Sequence, residues 1–167
     1  MKKTLFALMA IATLMAVSCD KETTTPETSI IGRWEAPRFS DRPEDIAFVA
    51  VFGEQDLDLY VIPWGQHIKG TYTWSNNVVK YNITEAYNAF TGVTFDDEGN
   101  MTSWSWEAGN LDAATLTLSA GYDWYPMTEE DLTRTKEDFG EFEFNINGNT
   151  ATCSLVGIEN LTFNKVN

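Results

Sequence analysis

The sequence predicts an all-β fold, an antiparallel up-and-down barrel of 8 to 10 strands with one short surface helix near residues 128–139. The first observation is that apolar residues recur at every second position from residue 30 onward, which is the period of β-strands. The second is that turn residues interrupt this pattern at short intervals. Because 43% of the residues are hydrophobic and 13% are aromatic, residues 30–167 are expected to form one domain with a packed core.

The first predicted strand covers residues 30–35 and contains Gly32 two positions before Trp34. A strand that begins in this way can seat a large indole at the closed end of a small barrel, and we expect the later strands to wrap around it. Two apolar strands are predicted next, over residues 46–52 and 57–62, with polar loops over residues 39–45 and 63–69.

The first predicted hairpin joins residues 70–75 to residues 78–83. Tyr72 and Trp74 share one face of its first strand, and Tyr81 lies on an apolar face of its second strand. The Asn-Asn pair between the two strands is a typical two-residue turn. These three rings are therefore expected to point into the barrel.

The second predicted hairpin joins residues 90–95 to residues 101–107 through an acidic turn at residues 96–100. Trp104 and Trp106 share one face of its second strand, and we expect this face to point inward as well. The chain should continue with a Thr-rich strand over residues 111–120 and an aromatic loop over residues 121–126.

One helix interrupts the series of strands over residues 128–139. Thr128 is a suitable N-cap, three acidic residues follow it at the positive end of the helix dipole, and Gly140 is a natural stop. Three strands are predicted after the helix, over residues 141–146, 150–156 and 161–166. The whole set suits a barrel, and it would also suit a sandwich of two sheets.

The N-terminus reads as an export signal. Lys2 and Lys3 precede an apolar run of 13 residues at positions 5–17. This run is too short to span a membrane, which takes about 20 residues. The end of the run, Ala-Val-Ser followed by Cys19, resembles the lipobox of bacterial lipoproteins. This resemblance implies a signal peptide at residues 1–18, a lipid anchor on Cys19 and a flexible tether at residues 19–29. An outer-membrane lipoprotein of the cell envelope is expected, facing the periplasm or the surface.

The chain is strongly acidic, with a net charge of −14. Without the two lysines of the signal peptide, 9 basic residues stand against 25 acidic ones. This balance argues against binding to nucleic acid or to anionic lipid headgroups, because both are repelled by a negative surface. It fits either a need for solubility or a cationic protein partner.

Catalytic and metal-binding patterns are not found. His67 is the only histidine, and no serine motif typical of hydrolases accompanies it. The acidic turn at residues 96–100 lacks the alternating ligand spacing of a calcium loop, so it is read as a hairpin turn. Cys153 lies in an alternating run and is expected to be a small buried side chain. We therefore expect no enzyme activity, no cofactor and no metal.

Three stretches resemble the lipocalins and the lipocalin-like lipoproteins of Gram-negative bacteria. They are the Gly32-x-Trp34 signature, the Gly-Thr-Tyr-Thr-Trp run at residues 70–74, and the closing strand at residues 161–166. The resemblance implies an eight-stranded up-and-down barrel with a ligand cavity in its mouth. It also implies that a basic side chain near the end of the barrel covers the tryptophan, a role that falls to Lys165.

Aromatic residues are the candidate ligand-binding set. The rings expected on inward faces could line a pocket, or they could simply fill the core. These rings are Tyr72, Trp74, Tyr81, Trp104 and Trp106. The rings expected in loops could form a rim, namely Trp64, Trp124 and Tyr125. Three functions follow: a non-catalytic barrel for a small hydrophobic ligand, an acidic interaction or inhibitor protein for a basic partner, and a carbohydrate-binding accessory module that uses the loop rings to bind a glycan.

Overall fold

The structure, a computed structural model, describes residues 29–39 and 42–166. Within this part the chain forms ten β-strands and one α-helix. The barrel strands are β1 (Gly32–Phe39), β2 (Arg42–Phe52), β3 (Asp56–Val61), β4 (Gln66–Ser75), β5 (Val78–Phe95), β8 (Glu141–Asn147), β9 (Thr150–Leu155) and β10 (Ile158–Val166). The other elements are β6 (Met101–Ser105), β7 (Tyr122–Pro126) and α1 (Glu129–Phe139).

Eight strands close into an antiparallel barrel. Neighbours follow the order β1 to β5, then β8, β9 and β10, and β10 pairs with β1 to complete the ring. The predicted antiparallel up-and-down barrel of 8 to 10 strands with one short helix is therefore confirmed. The barrel has eight strands, and two further strands lie outside its ring. The predicted signal peptide, Cys19 and most of the tether lie outside the described residues. No helix in the described part of the chain is long and apolar enough to cross a membrane.

Strand β5 is 18 residues long and belongs both to the barrel and to an extension of the same sheet. Its first half pairs with β4, and with β8 over only three residues. Its second half leaves the barrel and pairs with β7 and β6. We call this three-stranded extension the arm; it consists of residues 87–95, 101–105 and 122–126. The two strands predicted at residues 78–83 and 90–95 are thus one, because no glycine or proline separates them.

Helix α1 fills the gap that opens along β5 between β8 and β7. It begins after Thr128, whose hydroxyl accepts a hydrogen bond from the backbone N–H of Asp131 at 3.1 Å. On either side of the helix, the Met127 N–H donates to the Ala86 carbonyl and the Tyr81 N–H donates to the Gly140 carbonyl, both at 2.8 Å. These bonds tie the helix to the edge of β5 that neither β8 nor β7 covers, while β4 pairs with the opposite edge. The predicted helix is confirmed.

Aromatic side chains fill the interior of the barrel. Phe144 is fully buried, and its ring centroid lies 5.3 Å from those of Trp34 and Phe52 and 5.5 Å from that of Phe163. Cys153 is a free, buried thiol in the same core, as expected. Burial raises its pKa to about 12, so the thiol is neutral at physiological pH.

The Gly-x-Trp signature forms one end of the barrel. The Trp34 indole donates to the Ile30 carbonyl at 2.7 Å, and Lys165 lies opposite Trp34 in the strand pairing. Lys165 Nζ is 5.2 Å from the centroid of the Trp34 ring, which is a cation–π geometry. Gly32 has a φ of +129°, and a Cβ there would lie 2.9 Å from Lys165 Cε. The glycine therefore lets the lysine reach the indole.

Four predicted elements are wrong. The predicted loop at residues 63–69 contains the start of β4, which pairs with β3 and β5. Residues 111–120 form no strand, only a bridge between Leu111 and Leu118, because the Asp112 carboxylate accepts the N–H groups of the next residues and turns the chain. The predicted loop at residues 121–126 is strand β7, since it has the free edge of β5 to pair with. The polar segment at residues 39–45 contains the start of β2, which pairs with β1 despite its polarity.

Candidate functional site

The five rings expected on inward faces divide into two groups. Tyr81 is buried in the barrel, and Tyr72 and Trp74 are partly buried against the same core. Trp104 and Trp106 remain 55% and 41% exposed, so the expectation that they point into the barrel is wrong. The physical reason is that β6 pairs with the part of β5 that has left the barrel. Alternate side chains of β6 therefore lie on the two faces of the arm, and neither face points into the barrel.

A concavity lined by aromatic rings lies on the outer wall of the barrel, beside the base of the arm. We call it the outer-wall groove, and its volume is about 290 Å³. Strands β3, β4, β5 and β7 and the loop before β7 all contribute to it. Its lining residues are Tyr60, His67, Lys69, Tyr87, Leu116 and Trp124.

His67 is the centre of the groove because of the strand register. It pairs with Tyr60 across β3 and with Tyr87 across β5, so the three rings form a row over the outer face of the sheet. The imidazole stacks on Tyr60 at 4.1 Å between ring centroids, with an interplanar angle of 11°. Trp124 approaches from β7 at 5.6 Å. His67 Nε2 also lies 2.6 Å from Asp58 Oδ1, which fixes the orientation of the imidazole.

A second hydrophobic cluster, outside the barrel, holds one side of the groove in place. Val49 and Ile62 are buried under Leu111, although Val49 points away from the barrel interior. Leu116 and Trp124 pack against the same cluster. Arg33 ties the covering loop to β1 by a hydrogen bond to the Ala113 carbonyl. The loop over residues 106–121 thus covers the outer wall and ends at the groove.

Charged groups surround the aromatic floor. Tyr87 donates its hydroxyl to Glu85 at 2.6 Å, and Lys69 Nζ lies 3.9 Å from the same carboxylate. Burial, and after it the Asp58 carboxylate, raises the pKa of Tyr60 to about 12, so its phenol stays neutral. The groove therefore offers aromatic rings around a central imidazole, with an ammonium and two carboxylates at its edge. In the described part of the chain, no group of three or more metal-ligating side chains could hold a metal ion.

The rings of the arm form a separate feature. Trp104 stacks on Phe90 at 4.7 Å, and Tyr125 lies 6.2 Å from both Phe90 and Phe95. We call these four residues the arm's aromatic row. Trp64 is 47% exposed outside this row, and its carbonyl accepts a hydrogen bond from the Trp106 indole at 2.9 Å.

The groove unites one of the predicted candidates, Trp124, with residues that the sequence did not single out for binding. Tyr60 and Tyr87 were missed because their proximity to His67 depends on pairing between strands that are distant in sequence. His67 was predicted in a loop and Tyr87 between two strands, so no alternation indicated that these rings share the outer face with Tyr60. Comparison of the chain with protein-family models, curated proteins and solved structures finds no match.

Proposed function

We propose that the chain is a lipid-anchored, non-catalytic, lipocalin-like barrel that binds a small hydrophobic ligand in the outer-wall groove. The observation that carries the proposal is the convergence of four rings, from Tyr60, His67, Tyr87 and Trp124, on one concavity. Ligand sites are typically concave and lined by aromatic side chains with a few polar groups, and they begin at about 300 Å³. The groove fits this description at its lower limit, which favours a small ligand.

The location outside the barrel follows from the packing inside it. In lipocalins, by the resemblance above, the ligand would enter the mouth of the barrel. Here the interior is occupied by Phe52, Phe144, Phe163 and the other core rings, which contact each other at 5.1–5.5 Å. A ligand inside would have to displace these side chains, whereas the groove is open to solvent.

The polar edge of the groove favours a flat ring with one polar substituent. The Asp58 carboxylate holds His67, and Lys69 and Glu85 lie at the open side. A flat ring laid against the aromatic side chains of the groove could direct a hydroxyl or amino group toward the charged groups. An entirely apolar ligand would use only the rings.

Replacing Trp124 with alanine is expected to weaken binding in the groove by about tenfold, which corresponds to about 1.4 kcal/mol. The loss arises because the indole supplies one aromatic wall of the site. The probe is the neutral dye N-phenyl-1-naphthylamine, whose fluorescence rises in apolar sites, titrated against the purified full chain. Trp64→Ala is the matched control, since this ring is exposed and does not line the groove.

The proposal is wrong if the wild-type chain gives no saturable signal, or if Trp124→Ala and Trp64→Ala bind the dye equally well. Circular dichroism of both variants checks that the barrel is intact. Retention of a neutral oligosaccharide that depends on Trp124, without binding of the dye, would instead favour the carbohydrate-binding alternative.

Changing Cys19 to serine is expected to release the protein from the membrane. The proposed anchor is a lipid on this thiol, so its removal leaves the chain without its attachment to the bilayer. The measurement is fractionation of cells that express either form, followed by detection of the protein in the membrane and soluble fractions. Cys153→Ser is the control, because this cysteine is buried in the barrel core. Continued membrane association of the Cys19→Ser chain would contradict the anchor.

A further inference from the structure

We propose that the arm is a docking surface for a basic, arginine-bearing segment of another protein, which binds in an extended conformation across the arm's aromatic row. This surface is distinct from the outer-wall groove. Three independent features of the arm support the proposal: exposed rings, charge of a single sign, and free strand edges.

The aromatic row leaves large apolar surfaces in contact with solvent. Phe95 is 54% exposed and Trp104 is 55% exposed, although each is in contact with another ring of the row. Isolated exposed apolar residues are normal, but a contiguous group of them typically marks an interaction site. Stacking on Phe90 holds the Trp104 indole in one orientation, so its opposite face is presented ready for a partner.

The charge of the arm selects the partner. Between Lys80 and Arg134 the sequence has no lysine, arginine or histidine. The same stretch has ten acidic residues: Glu85, Asp96, Asp97, Glu98, Glu107, Asp112, Asp123, Glu129, Glu130 and Asp131. Asp123 lies in the arm itself, and Asp96, Asp97 and Glu98 lie in the turn at its tip. A cationic segment is therefore attracted to the arm, whereas a second copy of this acidic chain is repelled. Arginine suits the row best, because its planar guanidinium stacks on an indole and also binds carboxylates.

The tip of the arm presents its acids in a fixed geometry. Asp96 accepts hydrogen bonds from the backbone N–H of Asn100 at 2.7 Å and from that of Glu98 at 3.1 Å. The Asn100 side chain donates to the same carboxylate at 3.1 Å. Asp96 thus orders the turn between β5 and β6, and the side chains of Asp97 and Glu98 are left exposed.

The strands of the arm have edges to which an extended segment can add. In the described part of the chain, β6 pairs only with β5, and β7 also pairs only with β5. The outer edge of β6 therefore carries backbone N–H and C=O groups without a strand partner. An added strand would form main-chain hydrogen bonds there, and every second side chain would point toward the aromatic row.

The test measures binding of the full chain to an extended peptide of about eight alternating arginine and threonine residues, by isothermal titration calorimetry. Saturable binding is expected, and Trp104→Ala should weaken it by about threefold or more. The double variant Asp97→Asn with Glu98→Gln should weaken it as well. Raising the salt from about 0.05 M to about 0.5 M should reduce the affinity steeply, because the attraction between the charges is screened.

Three controls distinguish docking at the arm from nonspecific attraction of a cationic peptide to an acidic protein. Glu137→Gln with Asp138→Asn removes the same charge from the exposed side of α1 and should leave the affinity unchanged. A peptide with glutamine in place of each arginine should not bind. Trp124→Ala should still bind the arginine peptide, so failure of the groove proposal and failure of this one can be told apart.

Several results would overturn the proposal. They are the absence of saturable binding, equal binding by Trp104→Ala, or an equal loss from the charge variants of the arm and of α1. Retention of a neutral oligosaccharide that depends on Trp104, with no binding of the arginine peptide, would identify the arm as a glycan platform instead.

Discussion

Replacing Phe144 with alanine is expected to lower the free energy of unfolding by about 3–5 kcal/mol. The ring is fully buried and contacts Trp34, Phe52 and Phe163 inside the barrel. Its removal leaves a cavity among rings that are held by their own strands and cannot collapse into the space. Domains of this size typically have a stability of only about 5–15 kcal/mol, so the variant should lose a large part of the total.

The measurement is urea denaturation followed by circular dichroism, with wild type and variant at the same temperature. Phe95→Ala is the matched control, because the same side chain is removed from a position that is 54% exposed. It should change the stability by less than about 0.5 kcal/mol. If both variants lose equally little, Phe144 does not lie at the centre of the core.

Replacing Gly70 with alanine is expected to cost about 3 kcal/mol of stability for a different reason, which is a clash between backbones. A Cβ at this position would lie 2.1 Å from the Asn82 carbonyl oxygen and 2.9 Å from the Ile83 Cα. The pairing of β4 with β5 shifts register between Lys69 and Gly70, and this bulge brings the two backbones together. The methyl group can be accommodated only if the two strands separate.

Gly53→Ala is the control for this substitution. Its Cβ would first meet the Asp56 carbonyl oxygen at 3.4 Å, which is an ordinary contact, and Gly53 is not among the glycines with positive φ. The two variants are compared by the urea concentration at the midpoint of unfolding. Equal midpoints would contradict the close approach of β4 and β5 at Gly70. A loss confined to Gly70→Ala supports it.

Local sequence signals were reliable where the structure depends on neighbouring residues. Helix α1 begins after Thr128 and ends before Gly140 because both end signals act within one turn of the backbone. The barrel strands were predicted from the alternation of apolar and polar residues, which is typical of a strand with one buried face. Local signals failed to predict structure that depends on a partner distant in sequence. Residues 121–126 were predicted as a loop, but they contain strand β7 because β5 has a free edge with which they pair.

The candidate site depended more heavily on distant partners. Trp124 was identified from its ring alone, whereas Tyr60 and Tyr87 became part of the site through their pairing with His67. Trp104 and Trp106 were assigned to the barrel interior because alternation separates two faces of a strand without indicating what covers each face. The extension of β5 beyond the barrel left their face exposed.

The sequence by itself determined the antiparallel all-β class, the capped helix and the acidic charge, because each of these follows from residue type and short-range spacing. The choice of a closed barrel over a sandwich depended on the pairing of β1 with β10. Only the tertiary structure decided where the rings meet. It filled the barrel interior, placed His67 between two tyrosines on the outer wall, and presented Trp104 on a free arm. The physical reason is that strand register and the cover of a sheet face depend on contacts between segments far apart in the chain.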